Sequence, residues 1–140
     1  MYQSLQGNLG LGKAIEYFVS IGVTVSIPLN DTQSYDLVVD IENKLYKVSV
    51  KTGRRSNNNK SFYVQLRNTG GGRANNIRQV PFNKNNCDYI FIYTIDENLY
   101  LIPSKKIENS NSIVVSPNNK WSKYLVNIQK FSDFIEKMAV

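Results

Sequence analysis

SYDLVVDIENKLYKVSVKTGRR, residues Ser34 to Arg55, holds two runs in which apolar residues recur at every second position. Leu37, Val39 and Ile41 alternate with Asp36, Val38 and Asp40, and Tyr46, Val48 and Val50 alternate with Lys47, Ser49 and Lys51. Period-two alternation predicts two strands that each bury one face, joined by a turn near Glu42, Asn43 and Lys44. An even-numbered loop keeps both apolar sets on one side of the hairpin. A loop at Asn43 and Lys44 pairs Asp36 with Lys51, whereas a loop at Glu42 and Asn43 pairs Asp36 with Ser49. Either way, a carboxylate begins one strand and an ammonium ends the next.

The flanking sequence extends this to one mixed α/β unit. Leu11, Ala14, Ile15, Phe18 and Val19 lie on one face of a helix expected over Asn8–Ile21, capped by Asn8 and stopped by Gly22. A short strand is expected at Val23–Ile27, ended by Pro28. A further strand is expected at Ser61–Arg67, and a hairpin from Asp88–Ile95 and Asn98–Ile102. A helical turn is predicted at Ser104–Asn109 and a C-terminal helix at Phe131–Met138. The polar stretch Asn68–Asn86 contains Gly70, Gly71 and Gly72 and reads as a flexible surface loop. With 140 residues, no repeat and 41% hydrophobic content, residues 1–140 read as a single domain with a real core.

Composition excludes several chemistries. There is no histidine and a single cysteine, Cys87. Ser-His-Asp and Cys-His catalysis, histidine metal sites, cysteine zinc clusters and intrachain disulfides are ruled out. A metal would have to bind oxygen donors, which favours Mg2+ or Mn2+. No apolar run approaches the ~18 residues of a membrane span. MYQSLQGNLG lacks the charged start and apolar core of a signal peptide. The single cysteine suggests a reducing, cytoplasmic setting, and no membrane partner is expected.

The net charge of +6 is unevenly placed. Ten of the 17 basic residues, and none of the 11 acidic ones, fall between Asn43 and Cys87. A one-signed segment of this kind, at about residues 43–87, is the footprint of a polyanion partner. Lys47, Arg54, Arg55, Lys60 and Lys84 are candidates for phosphate contacts. Arg67, Arg73 and Arg78 are candidates for base edges, because arginine pairs bidentately with guanine.

YDLVVD followed by YKVSVKT resembles the PD-(D/E)xK restriction-endonuclease-like superfamily. Within it, the chain is similar to the homing endonucleases of restriction fold found in cyanobacterial group I introns. The likeness runs through GNLG and the apolar helix, then Ile27-Pro28, and on to DYIFIY and LYLIP, about three quarters of the chain. It implies a restriction-endonuclease-like core, a mixed β-sheet flanked by helices. It also implies metal-dependent hydrolysis of double-stranded DNA at a specific site. By this likeness Asp36 binds the metal and Lys51 is the catalytic lysine. The backbone carbonyl of Val50 supplies a further metal ligand.

Two positions depart from that pattern. Ser49 stands where the family has Glu or, in this branch, Gln. Leu11 stands where it has a helix glutamate. Leucine cannot bind metal, and a serine hydroxyl is a shorter, neutral donor. Glu16 is turned roughly 140° from the Leu11 direction and reads as a solvated helix charge. Asp40 lies roughly 13 Å along the strand from Asp36 and reads as a surface carboxylate. The expectation is therefore an endonuclease weakened or inactivated at the Leu11 and Ser49 positions. The alternatives are a non-cleaving DNA-binding protein of the same fold and a Holliday-junction resolvase. Cutting both strands takes two sites, so a homodimer or homotetramer is expected.

Overall fold

A computed structural model of the chain describes residues 2–30, 32–56, 60–69, 79–108, 110–130 and 132. Helix α1 (Tyr2–Ser20) is followed by β1 (Thr24–Ser26), β2 (Leu37–Ile41) and the long β3 (Lys44–Arg55). Then come β4 (Phe62–Gln65), β5 (Asn68–Thr69), β6 (Gln79–Val80), β7 (Tyr89–Thr94) and β8 (Leu99–Pro103). A 3-10 turn at Ser104–Lys106, β9 (Ser112–Val115), a second 3-10 turn at Lys120–Tyr124 and β10 (Leu125–Val126) complete the order. The helix expected at Phe131–Met138 lies outside the described residues apart from Ser132.

Six strands form the body of one sheet in the order β1-β2-β3-β7-β8-β10, with β4 on the distal end of β3 and β9 on β4. β3 and β7 run parallel, and the other pairs of this sheet are antiparallel. The result is the expected mixed sheet of an α+β fold. The turn between β2 and β3 falls at Glu42 and Asn43, which both adopt positive φ (53° and 67°). This is the two-residue hairpin geometry whose twist matches that of the strands. It sets the register Leu37↔Val48, Val38↔Lys47 and Ile41↔Lys44.

Two apolar layers cover the sheet. On one side α1 buries Ala14, Tyr17 and Phe18 against Leu37, Val39, Val48 and Phe91. Each buried Val, Leu or Phe side chain of this layer contributes about 1.5–3 kcal/mol. Close approach is possible because residue 10 is glycine: a Cβ there would lie 2.7 Å from Thr52 Cγ2. On the opposite side Phe62, Val64, Leu66, Phe82, Ile90, Ile92, Tyr100, Ile102 and Trp121 form the second layer. Gly53 sits where β3 passes from β7 to β4, with Thr94 Cγ2 and Phe62 Cβ 2.9 and 3.1 Å from where its Cβ would be.

Several boundaries differ from the sequence expectation. α1 begins at Tyr2, so Asn8 is inside the helix and caps nothing. Gln, Leu and Ser in the first turns are compatible with helix, and no residue there forces a start at Asn8. The C-terminal stop does fall at Gly22 (φ 83°), where Gly22 N–H donates to Val19 O and Val23 N–H to Phe18 O. This is the paired closure of a glycine-terminated helix. The stretch Asn68–Asn86 is not wholly a surface loop. Its ends pair as a small ribbon, Asn68↔Val80 and Thr69↔Gln79, and Phe82 is buried in the second layer. Residues 70–78, with Gly70 to Gly72, Arg73 and Arg78, lie outside the described residues.

Candidate active site

Asp36 immediately precedes β2, and its N–H donates to the Val48 carbonyl at 2.9 Å. The β2–β3 ladder ends at Leu37↔Val48, and because the Asp36 N–H reaches that same Val48, Asp36 and Leu37 both meet one residue of β3, as at a β-bulge; Asp36 is paired with neither Ser49 nor Lys51. The Asp36 carboxylate turns toward β3, where Oδ2 accepts a hydrogen bond from Val50 N–H at 2.7 Å. A strand residue projects its N–H and C=O to the same side. The Val50 carbonyl therefore faces the end of β2, next to Asp36. These are two oxygen donors of different kinds, one charged and one from the backbone.

Asp36 as a residue is exposed, but its carboxylate is held against the β3 backbone. Burial raises its pKa, against the lowering effects of the Val50 N–H and the Lys51 charge. Burial lowers the pKa of Lys51, against the opposing attraction of Asp36. Lys51 extends away from the hairpin. Its Nζ donates to Asn68 Oδ1 at 2.8 Å and to the Arg67 carbonyl at 3.2 Å.

Ser49 and Leu11 are placed differently. Ser49 is only 3% exposed. Cys87 is buried close by, and that burial pushes its thiol pKa up. Leu11 is half-buried among the apolar residues between α1 and the sheet, packed with the layer that holds Leu37 and Val48. Glu16 is exposed and pairs with Lys13 at 3.9 Å, as a solvated helix charge should. Asp40 is opposite Leu45, near the turn and away from Asp36.

The candidate basic residues among the described ones are spread over several elements. Lys47 Nζ lies 5.2 Å from the Tyr35 ring centroid, and its backbone N–H donates to Asp88 Oδ2 at 2.8 Å. Arg54 and Arg55 end β3 opposite Tyr63 and Phe62 and are both exposed. As strand neighbours they project to opposite sides. Lys60 and Arg67 are exposed and Lys84 is half-buried in the turn before Cys87. The contacts of Asn68 with Lys51 and of Asp88 with the Lys47 backbone were not anticipated. Both join residues far apart in sequence, and neither interrupts a hydrophobic period.

The oxygen donors fit a hard divalent cation in kind. Among the described residues no group of three or more His, Cys, Asp or Glu stands ready to hold a metal. Mg2+ commonly takes one or two carboxylates and completes its shell with water and substrate phosphate. Asp36 and the Val50 carbonyl match the protein's share of such a shell.

A mixed sheet with an aspartate ahead of one strand and Val-Ser-Val-Lys on the next defines a nuclease-type scaffold. The chain matches the family model described as PD-(D/E)XK endonuclease over residues 1–136, and it belongs to that family. It is also similar to a solved structure described as a bacterial homing endonuclease, I-Ssp6803I. The two share 27% sequence identity at a TM-score of 0.72, over 97% of this chain and 95% of that one. No curated protein matches the chain. No helix among the described residues is long and apolar enough to cross a membrane.

Proposed function

We propose that this chain is a site-specific double-stranded DNA endonuclease of the homing type, with cleavage weakened at the Leu11 and Ser49 positions. The observation that carries the reading is the placement of Asp36 against the N–H of Val50, one residue before Lys51. Asp36 and the Val50 carbonyl would hold Mg2+ or Mn2+. The bound ion would supply positive charge at the scissile phosphate and lower the pKa of an attacking water. Lys51 supplies a further positive charge at the phosphate oxygens. Lys47, Arg54, Arg55, Lys60 and Lys84 contribute phosphate contacts, and Arg67, Arg73 and Arg78 reach base edges. A homodimer or homotetramer supplies the second site that a double-strand cut requires. The reading places the protein in the cytoplasm, with DNA as its partner.

A second reading is favoured by two specific residues. Leu11 packs among apolar side chains and Ser49 is buried, so neither adds charge at Asp36. On that reading the protein grips DNA without cutting it. Incubating the protein with a DNA library and Mg2+ or Mn2+, alongside a binding titration, separates the two. Cuts at one long site support the endonuclease. Tight, salt-sensitive binding without cuts supports the non-cleaving form. Preference for four-way over linear DNA would instead indicate a junction resolvase.

A further inference from the structure

We infer that Asn68 is a positioning residue for Lys51, holding its ammonium in place through a neutral acceptor; the inference rests on the endonuclease reading. A lysine side chain loses much rotamer entropy when it is fixed, so a useful ammonium has to be held. Here two acceptors on consecutive residues of another segment do so: the Arg67 carbonyl at 3.2 Å and Asn68 Oδ1 at 2.8 Å. An ammonium has three N–H donors. Two are directed by these contacts, which leaves the third for a phosphate oxygen.

The chemistry of the acceptor matters. An amide oxygen fixes the ammonium without cancelling its charge. A carboxylate at the same place would fix it and neutralise it. Asn68 is itself well anchored. Leu66, two residues earlier, is fully buried, and its N–H donates to the Asn111 carbonyl at 2.8 Å. Asn68 then pairs with Val80 in the β5–β6 ribbon. The anchor of Lys51 thus belongs to a segment fixed on both sides, independent of the β2–β3 hairpin that carries Asp36.

The test uses the full chain with Asn68→Ala and Asn68→Asp, and two readouts. The first is acetylation of Lys51 by an activated ester, followed by mass spectrometry, with Lys44 as an internal control. Asn68→Ala should acetylate at Lys51 about tenfold faster, the factor commanded by one hydrogen bond to a charged group, with Lys44 unchanged. Asn68→Asp should keep Lys51 protected. The second readout is single-turnover cleavage of plasmid DNA with Mg2+. Both variants should slow it by about tenfold, one by releasing Lys51 and the other by neutralising it. Unchanged Lys51 acetylation in Asn68→Ala overturns the inference. Absence of cleavage by the unmodified chain overturns the endonuclease reading alone, and the acetylation ratio still decides the role of Asn68.

Discussion

The Asp36 carboxylate accepts a hydrogen bond from the Val50 N–H at 2.7 Å, which ties the start of β2 to the middle of β3 at the point where their ladder ends. The contact does the work of a further ladder bond. It also holds a partly desolvated carboxylate, whose charged form burial disfavours. Stability and chemistry therefore pull in opposite directions at this residue.

Asp36→Asn keeps an acceptor for Val50 N–H and removes the charge. The raised pKa means that the folded chain binds a proton at Asp36 more tightly than the unfolded chain does. The stabilising contribution is full below the ordinary aspartate value of 3.8 and is lost as pH rises through the folded value. Without metal, Asp36→Asn should melt at or above the unmodified protein at pH 7, and the difference should vanish in acid. Added Mg2+ should raise the melting temperature of the unmodified chain but not of the variant. Cleavage should be abolished and DNA affinity retained. Undiminished cleavage would remove Asp36 from the site.

Leu11→Glu with Ser49→Gln should raise metal-dependent cleavage, since it restores a carboxylate and an amide. Ser49 is nearly enclosed, and a larger side chain there should cost about 1–3 kcal/mol by overpacking. Thermal melts and plasmid cleavage should thus move in opposite directions. Unchanged cleavage in a folded double variant would show that these positions do not face the site.

DNA binding should weaken steeply with salt, because log affinity falls by about 0.9 per phosphate neutralised for each unit of log salt. Arg54→Ala and Arg55→Ala should each reduce the slope by about one if that arginine neutralises a phosphate. Titrations between low and physiological salt measure this directly. A flat dependence would contradict the polyanion assignment.

Tyr100 is fully buried, and its hydroxyl has no hydrogen-bond partner among the described residues. Burial, with the nearby Asp96 charge adding to it, pushes its pKa up to about 12. Tyr100→Phe removes an unsatisfied polar atom and should stabilise the fold by about 1 kcal/mol, read by denaturant unfolding. A loss of stability would reveal a partner for that hydroxyl.

Much of this protein follows from its sequence by itself. Alternation in β2 and β3 requires a half-buried hairpin, and the apolar stripe of Leu11, Ala14, Ile15 and Phe18 requires a helix with one buried face, although Val19, expected on that face, is 57% exposed. Those periodicities are local consequences of backbone geometry. The absence of histidine and the single cysteine by themselves limit any metal site to oxygen donors. Tertiary structure alone decided the rest. Two hairpin registers satisfied the hydrophobic pattern equally, and the turn at Glu42 and Asn43 selected the one that pairs Leu37 with Val48, with Asp36 bonded to Val48 beyond the end of the ladder. Burial of Ser49, the apolar packing of Leu11 and the capture of Lys51 by Asn68 arise from elements distant along the chain. Periodicity reports which face a residue occupies within its own element. Which partner meets that face depends on how the elements cross, and only the folded chain contains that information.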